Sequence, residues 1–159
     1  MLPQELAVFA VTRDRFRMIN IPMKREDVAR RVRAIRRAIE KVAVGESVLF
    51  LREIAPANLH SLYRDLVAPL APALAGKQKV IVVADGPLLT VPLELLVTRY
   101  GPAEQQAFEA TRAASDGSTG RPFLGEYSAL AYLGKEHRFA YLPSLSALSS
   151  QRLYPKHAT

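Results

Sequence analysis

The sequence contains no cysteine and no tryptophan. Without cysteine the chain cannot form disulfides, zinc ribbons or iron–sulfur sites, and it has no thiolate to act as a nucleophile. No apolar run approaches the roughly 20 residues that a membrane-spanning helix needs. The opening Met1-Leu2-Pro3-Gln4-Glu5 lacks a basic segment followed by an apolar one. These absences predict a cytoplasmic protein without membrane contact. Internal repeats, a G-x-G-x-x-G fingerprint and a P-loop are also missing.

What is present suits a single globular domain spanning 1–159. A chain of this length buries about 70% of its unfolded surface, so the size itself calls for no disulfide or structural metal. Hydrophobic residues make up 49%, charged residues an ordinary 23%, and the 11 prolines are dispersed, which counts against global disorder.

The net charge of +7 is concentrated: Lys24 to Lys41 holds eight basic and three acidic residues. Val28, Val32, Ile35, Ile39 and Val42 recur there at spacings of 4, 3, 4 and 3, which predicts an amphipathic helix. Arg30, Arg33 and Arg37 fall opposite that stripe and Arg31 and Arg36 flank it, so the arginines face solvent. Pairs of Glu26 with Arg30 and Asp27 with Arg31 would support the helix surface. A phosphate-binding face is the alternative use of these arginines. No aromatic residues interleave with them to form a stacking platform, so the solvated face is favoured over nucleic-acid binding.

Elsewhere the pattern alternates between short strands and helices. Glu5 to Thr12 and Arg15 to Ile21 read as a hairpin broken at Arg13-Asp14. Val48 to Leu51 is a candidate short strand. A second amphipathic helix is predicted from Asn58, its candidate N-cap, through Leu59, Leu62, Tyr63, Leu66, Val67 and Leu70, with Pro69 and Pro72 bending its end. Lys79 to Ala84 is a continuous β-branched run without alternation, the signature of a central parallel strand buried on both faces. Asp85-Gly86-Pro87 turns the chain at that strand's C-terminal end, where open α/β sheets hold ligands. Pro92 suits the start of a helix to about Thr98. Residues 101–125 have the composition of an exposed, mobile excursion, with one short helix from Glu104. Tyr127 to Leu133 reads as helix, Arg138 to Leu142 as strand, and Pro143-Ser144 opens a final helical turn.

Catalytic patterns are scarce. His60, His137 and His157 lie 77 and 20 residues apart, outside metal-ligand spacings. Gly125-Glu-Tyr-Ser128-Ala129 does not match the G-x-S-x-G nucleophile elbow. Ser144, Ser146, Ser149 and Ser150 cluster, but a serine after proline at a helix start is an N-cap before it is a nucleophile. Composition and spacing thus lead to an α/β domain with no catalytic, cofactor-binding or metal-binding residues assigned.

Four segments in order resemble the CHAT domain, a caspase-like cysteine peptidase module associated with tetratricopeptide repeats. They are Thr12 to Phe16 with Ile21-Pro22 and the following helix, Leu62 to Leu70 (LYRDLVAPL), Val80 to Leu96 with Asp85-Gly86 and Pro92, and Tyr132-Leu133 followed by Tyr141-Leu142-Pro143-Ser144 and Leu148. Ala84 and Leu93 replace the Pro and Phe usual in the third. The resemblance implies the N-terminal part of a caspase-like α/β/α sandwich with a β-hairpin, amphipathic helices and central parallel strands. In that family the catalytic His and Cys follow the Pro-Ser segment. His157-Ala158-Thr159 comes too early and lacks the preceding buried strand, so the catalytic histidine is not carried over to it. A caspase-like mechanism needs a thiolate, and this chain has none, so it is expected to be inactive alone. The expected partner is a protein, either the missing C-terminal half or the repeats, with self-association through an exposed sheet edge as a further expectation. A non-catalytic interaction module is the alternative.

Overall fold

The computed structural model describes residues 6–116 and 124–147. The chain opens with strands β1 (Leu6–Val11) and β2 (Phe16–Ile21), paired antiparallel from Leu6 opposite Ile21 to Val11 opposite Phe16. Thr12 closes the turn: its N–H donates to the Arg15 carbonyl at 2.8 Å and its hydroxyl accepts from the Arg15 N–H at 3.0 Å. Alternation sends Leu6, Val8, Ile19 and Ile21 toward the core and leaves Phe9, Val11, Phe16 and Met18 exposed on the other face.

Helix α1 (Arg25–Ala43) buries Val28, Val32, Ile35 and Ala38. Ala38 takes a place expected for the larger neighbours: Ile39 and Val42 are only half-buried, because the inner stripe drifts around the helix over five turns. The run after it is not a strand. Val48–Glu53 forms 3-10 turns, started by the Ser47 hydroxyl accepting from the Leu49 N–H at 3.2 Å.

Helix α2 (Pro56–Leu62) starts two residues before the expected cap. Ala55 is its N-cap and Pro56, needing no N–H donor, occupies the first turn. The helix then widens into a π turn, Tyr63–Val67, and narrows to a 3-10 turn, Ala68–Leu70, before α3 (Ala71–Leu74). Pro69 and Pro72 each remove a backbone donor from this stretch, which explains why α-helical bonding does not run through it.

Strand β3 (Lys79–Val82) pairs in parallel with β6 (Arg138–Tyr141), in register from Lys79 opposite Arg138 to Val82 opposite Tyr141. Contrary to expectation, β3 is not buried on both faces. It has one strand neighbour among the described residues, and Ile81 is 48% exposed and Val83 39% exposed. Beyond it lie 3-10 turns at Gly86–Thr90 and Leu93–Leu95 and then β4 (Val97–Arg99), so the helix expected to run to Thr98 is absent. Val97 and Thr98 are β-branched, and β4 instead pairs antiparallel with β5 (Ala131–Tyr132).

Of the excursion expected over 101–125, Pro102–Asp116 forms helix α4, which begins before the short helix expected from Glu104, and residues 117–123 lie outside the described residues. α4 (Pro102–Asp116) buries Phe108, whose ring meets Tyr100 and Tyr127 edge-on at centroid distances of 6.4 and 5.1 Å. Helix α5 (Gly125–Ser128) is shorter than expected, and a 3-10 turn at Leu133–Lys135 leads into β6. The architecture is therefore mixed helix and strand with three two-stranded sheets among the described residues. No described helix is long and apolar enough to cross a membrane. The core joins α1, α2, the π turn, β4 and Leu133, with Ile35, Leu62, Leu96 and Leu133 among its most deeply buried side chains.

Candidate functional site

The C-terminal ends of β3 and β6 lie side by side. The Leu142 N–H donates to the Val82 carbonyl at 2.9 Å, extending the pairing past both strands. The turns that follow begin with Asp85 and Ser144. One Asp85 carboxylate oxygen accepts from the Gly86 N–H at 2.7 Å, so this side chain caps its own turn. Gly86 has φ +58°, and a Cβ there would stand 2.9 Å from the guanidinium of Arg25, the first residue of α1. The left-handed backbone calls for glycine, whereas the arginine terminus is the end of a flexible side chain that can move aside.

Tyr141 ends β6. Its hydroxyl donates to the Glu94 carboxylate and accepts from the Leu93 N–H at 2.6 Å. Burial pushes the phenol well above its ordinary range and the hydrogen bond to Glu94 adds to the rise, so it is a neutral donor at any physiological pH. Ser144 Oγ lies 2.7 Å from Ser146 Oγ and accepts from the Ala147 N–H at 3.2 Å, which makes Ser144 the cap of the turn that follows. Ser149 and Ser150, like Leu148 and His157, lie outside the described residues. The edge thus gathers Asp85, Gly86, Arg25, Glu94, Tyr141 and Ser144. The Tyr141 hydroxyl is held between the Glu94 carboxylate and the Leu93 N–H, and the Ser144 hydroxyl caps its turn, so the arrangement holds backbone in place and presents polar groups at this edge.

The two described histidines are elsewhere and act as braces. His60 Nδ1–H donates to the Val97 carbonyl at 3.0 Å, tying α2 to β4, and its ring stacks on Tyr63. His137 Nδ1–H donates to the Lys77 carbonyl at 2.6 Å. In both, a carbonyl partner requires the proton on Nδ1. His137, Glu136 and Tyr63 line a cavity of about 220 Å³ near the opposite, N-terminal end of β6. Burial there raises the Tyr63 phenol, with a further contribution from the Glu136 charge. No group of three or more His, Asp or Glu able to hold a metal ion occurs among the described residues.

The arginines of α1 divide their work. Arg30, Arg33 and Arg37 face solvent as expected. The expected Glu26–Arg30 and Asp27–Arg31 pairs are replaced by Asp27–Arg30 and Arg36–Glu40 on the surface. Arg31 turns away to reach Asp65 at 2.6 Å and Ser61 at 3.1 Å, because α2 and the π turn bring those acceptors to its flank. Burial works to raise the Asp65 carboxyl, but hydrogen bonds from Arg31 and Arg64 outweigh it and hold it below the usual range.

Sequence reasoning missed one group entirely. Glu126, on α5, is 1% exposed and its carboxylate faces Arg52 Nε at 3.2 Å. Beside it the Tyr127 hydroxyl donates to the Ile54 carbonyl at 3.1 Å, so α5 is clamped to the Val48–Glu53 turn by charge and by hydrogen bond. The two charged residues are over 70 positions apart, and no local pattern marks such a pair. No protein family, curated protein or solved structure matches the chain.

Proposed function

We propose that this chain is the N-terminal portion of a CHAT-type, caspase-like cysteine peptidase domain, inactive alone and supplying scaffold to a segment that carries the catalytic His and Cys. The observation that carries the reading is the parallel pair β3–β6, with Ile81 and Val83 exposed on its outer face. Parallel strands are stable where both faces are covered, so this pair calls for further strands or helices laid against it. The Asp85-Gly86 turn and the Ser144 cap occupy the edge at which such a sheet holds its ligands. The expected partner is the complementary half of the domain, acting in the cytoplasm.

The coding DNA downstream of Thr159, read in all three frames, tests this. A strand-like run leading to His-x-x-x-His-Gly and a later Ser-Cys strand end are expected in frame or one frameshift away, and joining the halves should yield a peptidase activity abolished by iodoacetamide. A stop codon with no such pair nearby would overturn the reading and leave a non-catalytic interaction module.

A further inference from the structure

A second cleft lies at the end of β3 away from Asp85. β2 sends Ile21 and Ile19 into the core, and the same face continues outward as Arg17 and Arg15. There the two arginines line a cleft together with Pro72 and Ala73 of α3 and with Lys77. These residues enclose a cleft of about 250 Å³, with Asp14 contributing the one carboxylate of its lining. Arg15, Arg17 and Lys77, like the solvent-facing Arg33 and Arg37, form no ion pair among the described residues.

Three cations and one carboxylate line one cleft, an uncompensated charge of about +2, and like charges that share a cleft repel. A dianion removes that repulsion, and a monocarboxylate removes only half of it. Two guanidinium forks and an ammonium match the tetrahedral oxygens of a phosphate. At roughly 30 Å³ per water the cleft has the room of about eight waters, enough for a phosphate or diphosphate group. We propose that the Arg15–Arg17–Lys77 cleft binds the phosphate group of a phosphorylated small molecule or lipid headgroup. The site is independent of the peptidase reading, since it shares no residue with the β3–β6 outer face or the Asp85 edge.

The test is calorimetric titration of the chain with inorganic pyrophosphate at low salt, beside co-sedimentation with phosphatidylcholine vesicles with and without phosphatidic acid. Arg17→Gln plus Lys77→Gln should weaken binding about tenfold or more. Lys24→Gln plus Arg99→Gln, matched in charge and remote from the cleft, should change it less than about twofold. All four positions are exposed, so folding should survive and circular dichroism checks that it does. Saturable pyrophosphate binding lost in the cleft variant supports a soluble ligand, and vesicle binding lost in it supports a lipid headgroup. Binding to neither probe, or equal weakening by the two double variants, would overturn the proposal.

Discussion

The inner face of α1 and the outer face of β3 are built from the same residue types and have opposite fates. Val28, Val32 and Ile35 are 2–3% exposed, whereas Ile81 and Val83 remain 48% and 39% exposed. The difference is geometric. An amphipathic helix has one apolar stripe, and the Val48–Glu53 and Gly86–Thr90 turns packed on α1, with the shared core, suffice to cover it. A parallel strand pair has two faces and two edges, and only the inner face of β3–β6 meets the described core, through Phe139. Apolar content records a demand for burial, while topology determines whether the demand is met.

The sharpest way to break this comparison is to truncate one residue from each region. Leu62→Ala, at a fully buried position, should cost about 4 kcal/mol and lower the melting temperature by about 10 °C. Ile81→Thr should cost less than about 0.5 kcal/mol while reducing dye binding and self-association. Equal losses of stability on denaturant unfolding would mean that the outer face is already covered in solution.

The same contrast holds for charge. Glu126→Gln removes the negative member of a pair whose carboxylate is wholly buried, and should cost about 3 kcal/mol because the charge attraction to the mostly sheltered Arg52 is lost. Arg30→Gln breaks an exposed pair and should shift stability by less than about 0.5 kcal/mol. A thermal-denaturation series on the two variants orders them directly, and a larger loss from Arg30→Gln would contradict the burial seen here.

The third contrast concerns acid. Asp65 has a lower pKa folded than unfolded, so its contribution is present above the unfolded value of about 4 and is lost as pH falls through the folded one. Asp65→Asn should therefore be slightly less stable near neutrality, by about 1 kcal/mol, and should lose less on acidification below about pH 4. Parallel unfolding curves at pH 7 and pH 3 measure the difference. An unchanged acid dependence would show that the Arg31 and Arg64 contacts carry no net stability.

Legibility followed the range of the interactions. The hairpin, α1, β3 and β6 were readable because alternation, helical spacing and β-branched runs act within a few residues. The strand expected over Val48 to Leu51 is instead part of the 3-10 turns Val48–Glu53, because its apolar letters suit either state. The Ser47 cap and the Lys41 ammonium 3.8 Å over the Phe50 ring belong to a turn folded back on α1. The helix expected from Pro92 to about Thr98 gives way to β4 because the partner of β4, β5, lies over 30 residues on. At the candidate edge, Asp85-Gly86 and Ser144 were visible as turn and cap, whereas Arg25 over Gly86 and Tyr141 against Glu94 were not, since nothing local joins them. The Arg15–Arg17–Lys77 cleft was hidden likewise, its cations being some 60 positions apart.

The sequence by itself determined the hairpin, the apolar stripe of α1, the strands β3 and β6, and that no thiolate chemistry can arise in this chain, because propensity, periodicity and composition are local properties. Tertiary structure alone decided that β3 pairs with β6, that Glu126 is buried opposite Arg52, and that three cations share one cleft. Those outcomes depend on contacts between residues distant in sequence, where the entropy of closing long loops must be met by packing no single segment encodes.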